Sequence, residues 1–281
     1  MEIFRTKKEL QQAIAHWKGR KPSKKVGFIP TMGALHEGHI SLVDAAKLHS
    51  DLIIVSVFVN PAQFNDQSDL ERYPRTESAD ADLLNKNGCD ILFLPPVNEV
   101  YPIGEAKYEI ELDGLDSVME GTFRPGHFKG VCNVVEKLFR IVKPDIAFFG
   151  IKDFQQAAII KHMVNLRGLP VEILACPIKR NDGGLALSSR NALLSEQEKE
   201  DARIINWTLR LAKILVQEGK SLKIVKENVQ ALFSLGQLKL EYMEIVHNDS
   251  LKPVKSITEN ISICLAAYCG KVRLIDNIQL N

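Results

Sequence analysis

Two histidines stand three positions apart in the stretch IPTMGALHEGH, residues 29–39. His36 and His39 follow an apolar run and precede an amphipathic pattern, so we expect them at a junction between a strand and a helix. Imidazoles donate hydrogen bonds to phosphate oxygens, and negative charge builds on those oxygens when the phosphorus of a nucleotide is attacked. The amides of Met32 and Gly33, at the start of the same junction, are expected to face a phosphate as well.

The same stretch allows other interpretations. Gly33 and Gly38 have the spacing of a P-loop, but His39 and Ile40 stand where that motif requires Lys and Ser or Thr. A dinucleotide-binding G-x-G-x-x-G pattern is absent from the stretch. Helical zinc-binding histidines normally lie four positions apart rather than three. A purely structural turn is the remaining alternative, and the residues that would bind a metal stay unknown.

Polar residues also follow a later apolar run, in GIKDFQQ at 150–156. Lys152 is suited to neutralising phosphate, Asp153 to accepting ribose hydroxyls, and Gln156 lies in the same stretch. The stretch LALSSRN at 185–191 adds two hydroxyls and a cation suited to a triphosphate. A solvated helix start and an ordinary polar loop are the structural alternatives for these two stretches.

Two further stretches carry uncharged or mixed polar groups. FVNPAQF at 58–64 places Asn60 and Gln63 beside aromatic residues, which suits a small hydroxylated substrate. FRPGHFKG at 123–130 contributes Arg124 and His127 as expected rim contacts, although a turn at its Pro-Gly pair explains much of this pattern.

The elements that must position these residues alternate through the first two-thirds of the chain. Apolar runs predict buried parallel strands, and the segments between them have helical periodicity, as in a doubly wound α/β sheet. The predicted strands cover 24–30, 51–59, 90–95, 145–150 and 171–176, and the predicted helices 39–50, 77–88 and 154–168. Because ligands of such sheets lie beyond the carboxyl ends of the strands, the stretches at 29–39, 58–64 and 150–156 fall at the expected place, and 185–191 lies at the expected domain boundary.

The pattern changes near residue 178. A charged helical stretch at 195–219 opens with the capping-box spacing of Ser195 and Glu198, and 239–248 and 262–280 resemble strands. We therefore predict a Rossmann-like substrate-binding domain at 1–178 and a smaller α+β lid domain at 179–281.

Composition excludes several classes of protein. The chain has 281 residues, with 36 basic and 35 acidic side chains, so no strong net charge attracts it to nucleic acid or membrane. No apolar run approaches the roughly 18 residues of a membrane span, and no signal-peptide pattern is present, so we expect a cytoplasmic protein. The five cysteines form no C-x-x-C pair and are expected to be buried, reduced thiols.

Taken together, the motifs resemble the pantothenate synthetase (pantoate–β-alanine ligase) family. The resemblance rests on PTMGALHEGH, FVNPAQF with RYPRT, GTFRPGHFKGV, FGIKDFQQ and GLALSSRN in this order, and on VRLIDN near the end. It implies an ATP- and Mg²⁺-dependent ligase of the HIGH-type nucleotidyltransferase superfamily, cytoplasmic and homodimeric. Its substrates would be pantoate and β-alanine, joined through a pantoyl adenylate with release of AMP and pyrophosphate.

The resemblance also implies roles for individual residues. It implies His39, His36 and Lys152 as catalytic residues, and Gln63 and Gln156 as the pantoate-binding residues. The implied ATP contacts are Met32, Gly33, His36, His39, Gly150, Lys152, Asp153, Lys179, Leu187, Ser188, Ser189 and Arg190.

The chain departs from the family pattern before LALSSR. Gly183 and Gly184 stand where the family has Asp-Gly, and a second glycine is expected to loosen the loop. Lys179 occupies a place that the resemblance associates with a small apolar residue whose backbone contacts adenine. An adenylyltransferase acting on a phosphate acceptor is the alternative function, and a non-catalytic nucleotide-binding regulator is a third.

Overall fold

The computed structural model describes residues 1–64, 67–104, 106–257 and 260–280. The chain groups into two compact units: the first is Met1–Ile151 with Ile159–Cys176, and the second is Lys152–Ala158 with Pro177–Asn281. The functional division at residue 178, between a substrate-binding domain and a lid domain, stays a prediction.

The first unit is built around a six-stranded sheet whose neighbouring strands all pair in parallel. Its strands in chain order are β1 (Glu2–Phe4), β2 (Val26–Thr31), β3 (Leu52–Val57), β4 (Ile91–Phe93), β5 (Ile146–Gly150) and β6 (Glu172–Cys176). The order across the sheet is β1-β4-β3-β2-β5-β6, so the winding reverses between β2 and β5. Such a switch point is where doubly wound folds bind their ligands.

Eight helices in the described part of the chain accompany this sheet, because both of its faces are apolar. Phe28, Phe93 and Phe148 are fully buried on β2, β4 and β5, as expected for inner strands covered on both faces. The helices are α1 (Lys7–Arg20), α2 (Glu37–His49), α3 (Gln67–Arg72), α4 (Glu77–Lys86), α5 (Val97–Val100), α6 (Glu120–Phe123), α7 (His127–Val142) and α8 (Phe154–Arg167).

The second unit contains a three-stranded antiparallel sheet in the order β7-β8-β9. Its elements are α9 (Glu196–Asp201), α10 (Arg203–Gln217), α11 (Leu222–Phe233), β7 (Lys239–His247), β8 (Ile261–Cys269) and β9 (Val272–Gln279). Apolar residues of α10, α11 and the sheet form its core, among them Leu209, Val225 and Ile263. The predicted fold, a doubly wound parallel sheet followed by a smaller α+β part, is confirmed.

Several predicted elements need correction. The helical stretch 195–219 is two helices, because the backbone is interrupted at Ala202, although its predicted capping box is present. Among the elements that the sequence analysis does not predict are the long helices α7 and α11 and the edge strand β1. Strand β3 ends at Val57, two residues before its predicted end.

All five cysteines are buried, as predicted. In the described ranges, no helix is both long enough and apolar enough to cross a membrane.

Candidate active site

The two histidines cap the first turn of α2 reciprocally. His36 is the N-cap residue, and its Nδ1 atom accepts a hydrogen bond of 3.1 Å from the backbone N–H of Gly38. The backbone N–H of His36 in turn donates to Nδ1 of His39 at 3.2 Å. A capping box normally uses Ser or Thr with Glu or Gln, so here two imidazoles replace both partners.

These bonds determine which nitrogen of each ring carries the proton. A neutral imidazole has one N–H and one acceptor nitrogen, and Nδ1 is the acceptor in both His36 and His39. The proton of each neutral ring therefore lies on Nε2. With the ring centroids 4.2 Å apart, the pair offers two neighbouring Nε2–H donors, which suit the oxygens of a phosphate.

The loop between β2 and the histidines is bonded to Asp80, a residue that the sequence did not indicate. The buried carboxylate of Asp80 accepts the N–H of Ala34 at 3.0 Å and the N–H of Leu35 at 2.8 Å. The N–H of Gly33, expected to face a phosphate, instead donates to Oγ1 of Thr31 at 3.2 Å. The backbone N–H groups of residues 33–35 thus all donate hydrogen bonds within the protein, to Thr31 and Asp80.

Gln63, the predicted substrate-binding residue of the first unit, lies in a buried polar network. It ends a 3₁₀ turn that follows β3, and its Nε2 lies 3.0 Å from the sulfur of Met32. Its Oε1 accepts from Nδ2 of Asn60 at 3.1 Å, and Tyr101 donates to Oδ1 of Asn60 at 2.7 Å. Gln63 and Met32, assigned from separate motifs, are therefore in contact.

Helix α7 holds this turn from the other side. A Cβ atom at Gly130 would lie 2.2 Å from the carbonyl oxygen of Ala62, so only glycine allows the close approach. The carbonyl oxygen of Gly130 accepts from Asn60 at 3.2 Å. His127 is buried, and its Nδ1 lies 2.8 Å from the carbonyl oxygen of Gln63. The prediction of His127 as a rim contact is therefore wrong, because its ring supports the backbone of Gln63.

In the second unit, Lys152 is tied to the C-terminal strand. Its carbonyl oxygen accepts a hydrogen bond of 3.0 Å from Nδ2 of Asn277 on β9, and its Nζ lies 3.8 Å from a carboxylate oxygen of Asp153. The Lys152 side chain is 17% exposed and that of Asp153 is 48% exposed, so the lysine is the more enclosed partner. Gln156 is partly buried in the first turn of α8. Gly150 ends β5, and no described atom lies within 4 Å of a Cβ built there, which leaves open space at this residue.

The segment that leads to the predicted triphosphate loop folds back on itself. Arg180 pairs with Ala186, and Leu187 donates to the carbonyl oxygen of Lys179 at 3.0 Å. The guanidinium of Arg180 forms a bidentate ion pair with the buried carboxylate of Asp276 on β9. Strand β9 therefore anchors both this segment and Lys152.

The two glycines of this segment lie close to side chains of helix α10. A Cβ at Gly183 would lie 2.2 Å from Nε of Arg203, and one at Gly184 would lie 2.2 Å from Nδ2 of Asn206. A larger residue at either position would displace these side chains, and the expectation of a looser loop stays a prediction.

The following residues form a short 3₁₀ turn, Ser189–Leu193, which Ser188 caps by accepting the N–H of Arg190 at 3.3 Å. Ser188, Ser189 and Arg190 are each partly buried, so the three predicted triphosphate contacts are presented by one capped turn.

The described residues contain no group of three or more His, Cys, Asp or Glu side chains that could hold a metal ion. Mg²⁺ is commonly bound by one or two carboxylates together with substrate phosphates and water, so it does not require such a cluster.

Comparisons with known proteins agree with these features. The family model described as pantoate-beta-alanine ligase matches residues 2–279. A pantothenate synthetase of Porphyromonas gingivalis is 48% identical over 99% of both chains, and one of Bacteroides thetaiotaomicron is 46% identical over 99% of both chains.

Solved structures lead to the same family. Pantothenate synthetase from Thermus thermophilus superposes with a TM-score of 0.93 at 37% identity, covering 100% of this chain and 99% of that one. Pantoate-beta-alanine ligase from Francisella tularensis, complexed with beta-gamma ATP and beta-alanine, gives a TM-score of 0.81 at 36% identity, with coverage of 100% and 98%. These matches support the ligase interpretation over the adenylyltransferase alternative. The chain belongs to the pantoate–β-alanine ligase family.

Proposed function

We propose that the chain condenses pantoate with β-alanine in two steps at the expense of ATP. A carboxylate oxygen of pantoate attacks the α-phosphorus of ATP, which forms a P–O bond and expels pyrophosphate. The amine of β-alanine then attacks the acyl carbon of the pantoyl adenylate, forms the amide, loses a proton and expels AMP. Activation is necessary because a free carboxylate has no adequate leaving group.

The observation that carries this proposal is the reciprocal cap of His36 and His39. Each ring uses Nδ1 as an acceptor, so each neutral ring has its donor on Nε2. Donors held in advance by the backbone stabilise charge that develops on phosphate oxygens without needing to reorganise during the reaction. We assign both histidines to the phosphates of ATP.

The other candidate ATP contacts belong to elements already described. In the first unit these are Met32, Gly33 and Gly150; in the second they are Lys152, Asp153, Lys179, Leu187, Ser188, Ser189 and Arg190. Lys152 and Arg190 supply positive charge for the phosphates, and Asp153 accepts the ribose hydroxyls. The carbonyl oxygen of Lys179 accepts a hydrogen bond from Leu187. We therefore assign the contact with adenine to the other backbone atoms of Lys179.

We propose that the side chains of Gln63 and Gln156 bind pantoate. An amide both donates and accepts, so each can bond a hydroxyl and a carboxylate without adding a charge. Hydrogen bonds hold both the backbone carbonyl and the side chain of Gln63. A side chain that is already held loses little conformational entropy when it binds a substrate, which supports this role.

Mg²⁺ would accompany ATP as part of the substrate. Its positive charge would add to that of Lys152 and Arg190 as negative charge grows on the departing pyrophosphate. We further propose that the protein works in the cytoplasm as a homodimer, as its family resemblance implies.

The decisive experiment follows exchange of labelled pyrophosphate into ATP. The chain should catalyse this exchange when pantoate is present and β-alanine is absent, because the first step is reversible. Adding β-alanine should then yield AMP and pantothenate in equal amounts. Exchange that occurs without pantoate, or that needs β-alanine, would contradict a pantoyl adenylate.

A further inference from the structure

The backbone that delivers the two histidines has an unusual conformation. Gly33 has φ of +86° and Ala34 has φ of +51°, so two successive residues lie in the left-handed region. Residues other than glycine rarely adopt this conformation, and Ala34 has no side-chain group to compensate it. Something outside the loop must therefore hold it.

Asp80 is the group in contact with this turn. It lies in the first turn of α4, 46 positions beyond Ala34, and is only 2% exposed. Its Oδ2 accepts from Ala34 and its Oδ1 from Leu35, while Oδ1 also accepts from Oγ1 of Thr76 at 3.1 Å. A Cβ at Gly33 would lie 3.0 Å from Oδ2, so the carboxylate also packs directly on the turn.

The loop backbone connects the bonds of this carboxylate to those of the imidazoles, because they involve amides of one short segment. Asp80 binds the amides of residues 34 and 35, His39 binds the amide of His36, and His36 binds that of Gly38. The position of each ring therefore depends on the path of the loop that Asp80 holds. The N–H groups of Ala34 and Leu35 donate to the Asp80 carboxylate and not toward a ligand. At this strand–helix junction, the imidazoles are therefore the groups that we expect to donate to phosphate.

We propose that Asp80 is a positioning residue for His36 and His39. By holding the left-handed turn, it sets the backbone from which both rings are capped and keeps both neutral rings in the Nε2–H form. This inference rests on the proposed function, in which those Nε2–H groups meet the phosphates of ATP.

The test uses Asp80→Asn, which keeps the shape of the side chain but places an NH₂ group against one of the two backbone N–H donors. We expect pantoate-dependent pyrophosphate exchange to slow by about tenfold or more, with a smaller change in the KM for ATP, since misplacement of a reacting group by about 1 Å can cost about 10²-fold. Thr76→Val removes a single bond to the carboxylate and should give a smaller loss in the same direction. Because Thr76 makes no side-chain capping bond to α4, this second variant remains informative if Asp80→Asn does not fold.

Asp90→Asn is the matched control. The carboxylate of Asp90 accepts the N–H of Ile53 at 2.8 Å, where β3 and β4 begin, at the opposite end of the strands from the histidine loop. This control loses a backbone contact of the same kind at a more exposed position, so it should lose some stability but keep its exchange rate. If both variants lose exchange in proportion to stability, or if Asp80→Asn and Thr76→Val both exchange at the wild-type rate, the proposal is overturned.

A second readout is independent of catalysis. Spectra of the protein with ¹⁵N-labelled histidine should show the Nε2–H form for residues 36 and 39, and a mixture of forms in Asp80→Asn. Unchanged spectra in that variant would contradict positioning by Asp80. If the wild-type protein shows no exchange while the spectra change as expected, the proposed function fails and the positioning role stands.

Discussion

The side-chain amide of Asn277 donates a hydrogen bond of 3.0 Å to the carbonyl oxygen of Lys152. Asn277 is buried on β9, near the end of the chain, and Lys152 begins the segment that leads into α8. The contact joins the proposed phosphate-binding lysine to the strand that also anchors Arg180 through Asp276.

Replacing Asn277 with Asp tests this contact. The substitution keeps the size of the side chain, removes the donor and sets a carboxylate against a carbonyl. We expect the exchange rate to fall by about tenfold, because the lysine backbone is displaced. Asn228→Asp is the control, since Asn228 donates in the same way to Ile224 on the exposed face of α11. Equal losses in both variants would argue against a specific role.

The two functions of His39 can be separated by two substitutions. In His39→Asn the side-chain oxygen can replace Nδ1 as the acceptor for His36, but the Nε2–H donor is lost. We expect adenylation to slow by about 10²-fold with little loss of stability. His39→Gln should show the reverse, with loss of the cap at a cost of about 1 kcal/mol and more residual activity.

Steady-state and exchange kinetics, with thermal unfolding, measure both effects of the His39 variants. His16→Ala, on the exposed face of α1, is the control. Wild-type adenylation by His39→Asn would remove Nε2 from the proposed mechanism.

Replacing His127 should weaken the binding of pantoate more than that of ATP. His127→Leu leaves the carbonyl of Gln63 without its partner, which costs about 1–3 kcal/mol when the group is buried. The KM for pantoate should rise while the KM for ATP changes little. His127→Asn, whose amide can occupy the place of Nδ1, should restore much of the affinity. Equal increases in both KM values would indicate general disruption instead.

The buried thiols should be unreactive in the native protein. Burial raises the pKa of Cys89 and of Cys132 to about 12, and that of Cys176 to about 11, so the reactive thiolate is scarce at pH 8. A thiol-specific dye should label none of the five cysteines rapidly before unfolding, and all of them afterwards. Rapid labelling of the native chain would show that a cysteine becomes exposed.

Glu136 should make stability fall in acid. Burial opposes the charged form of this carboxylate, but hydrogen bonds from Arg140 and Tyr108 outweigh it and hold its pKa below the ordinary value. Its stabilising contribution is therefore complete above the unfolded pKa of about 4.3 and disappears as the pH falls through the folded pKa.

The difference in unfolding free energy between wild type and Glu136→Gln should be constant from pH 6 to 8 and shrink at lower pH. Chemical unfolding at each pH measures it, with Glu196→Gln on the exposed start of α9 as the control. A difference that grows in acid would contradict the assigned sign.

The sequence predicts the long, regular secondary-structure elements better than the short ones. Strands β2 and β5 are continuous apolar runs, and each ends at a polar motif, so both their position and the placement of His36 follow from local pattern. Strand β1 has three residues, too few for a periodic signal. Helix α7 begins directly after the Pro125-Gly126 turn, and the turn signal concealed it.

The contacts that orient the site are harder to predict. Asp80 and Leu35 are 45 positions apart, and nothing in ESADADLL distinguishes this buried carboxylate from its solvated neighbours. The role of Asn277 likewise depends on a fold that brings β9 to Lys152. VRLIDN is one of the stretches that carry the family resemblance, but no local rule assigns its asparagine a partner 125 positions away.

Gly130 shows how this architecture limits protein engineering. Alanine normally favours a helix over glycine by about 1 kcal/mol, so Gly130 in the middle of α7 resembles an easy target for thermostabilisation. Its α-carbon, however, packs against the peptide between Ala62 and Gln63. A methyl group there would push on the backbone that presents Gln63, so a screen that selects only for heat resistance would trade substrate affinity for helix stability at this position.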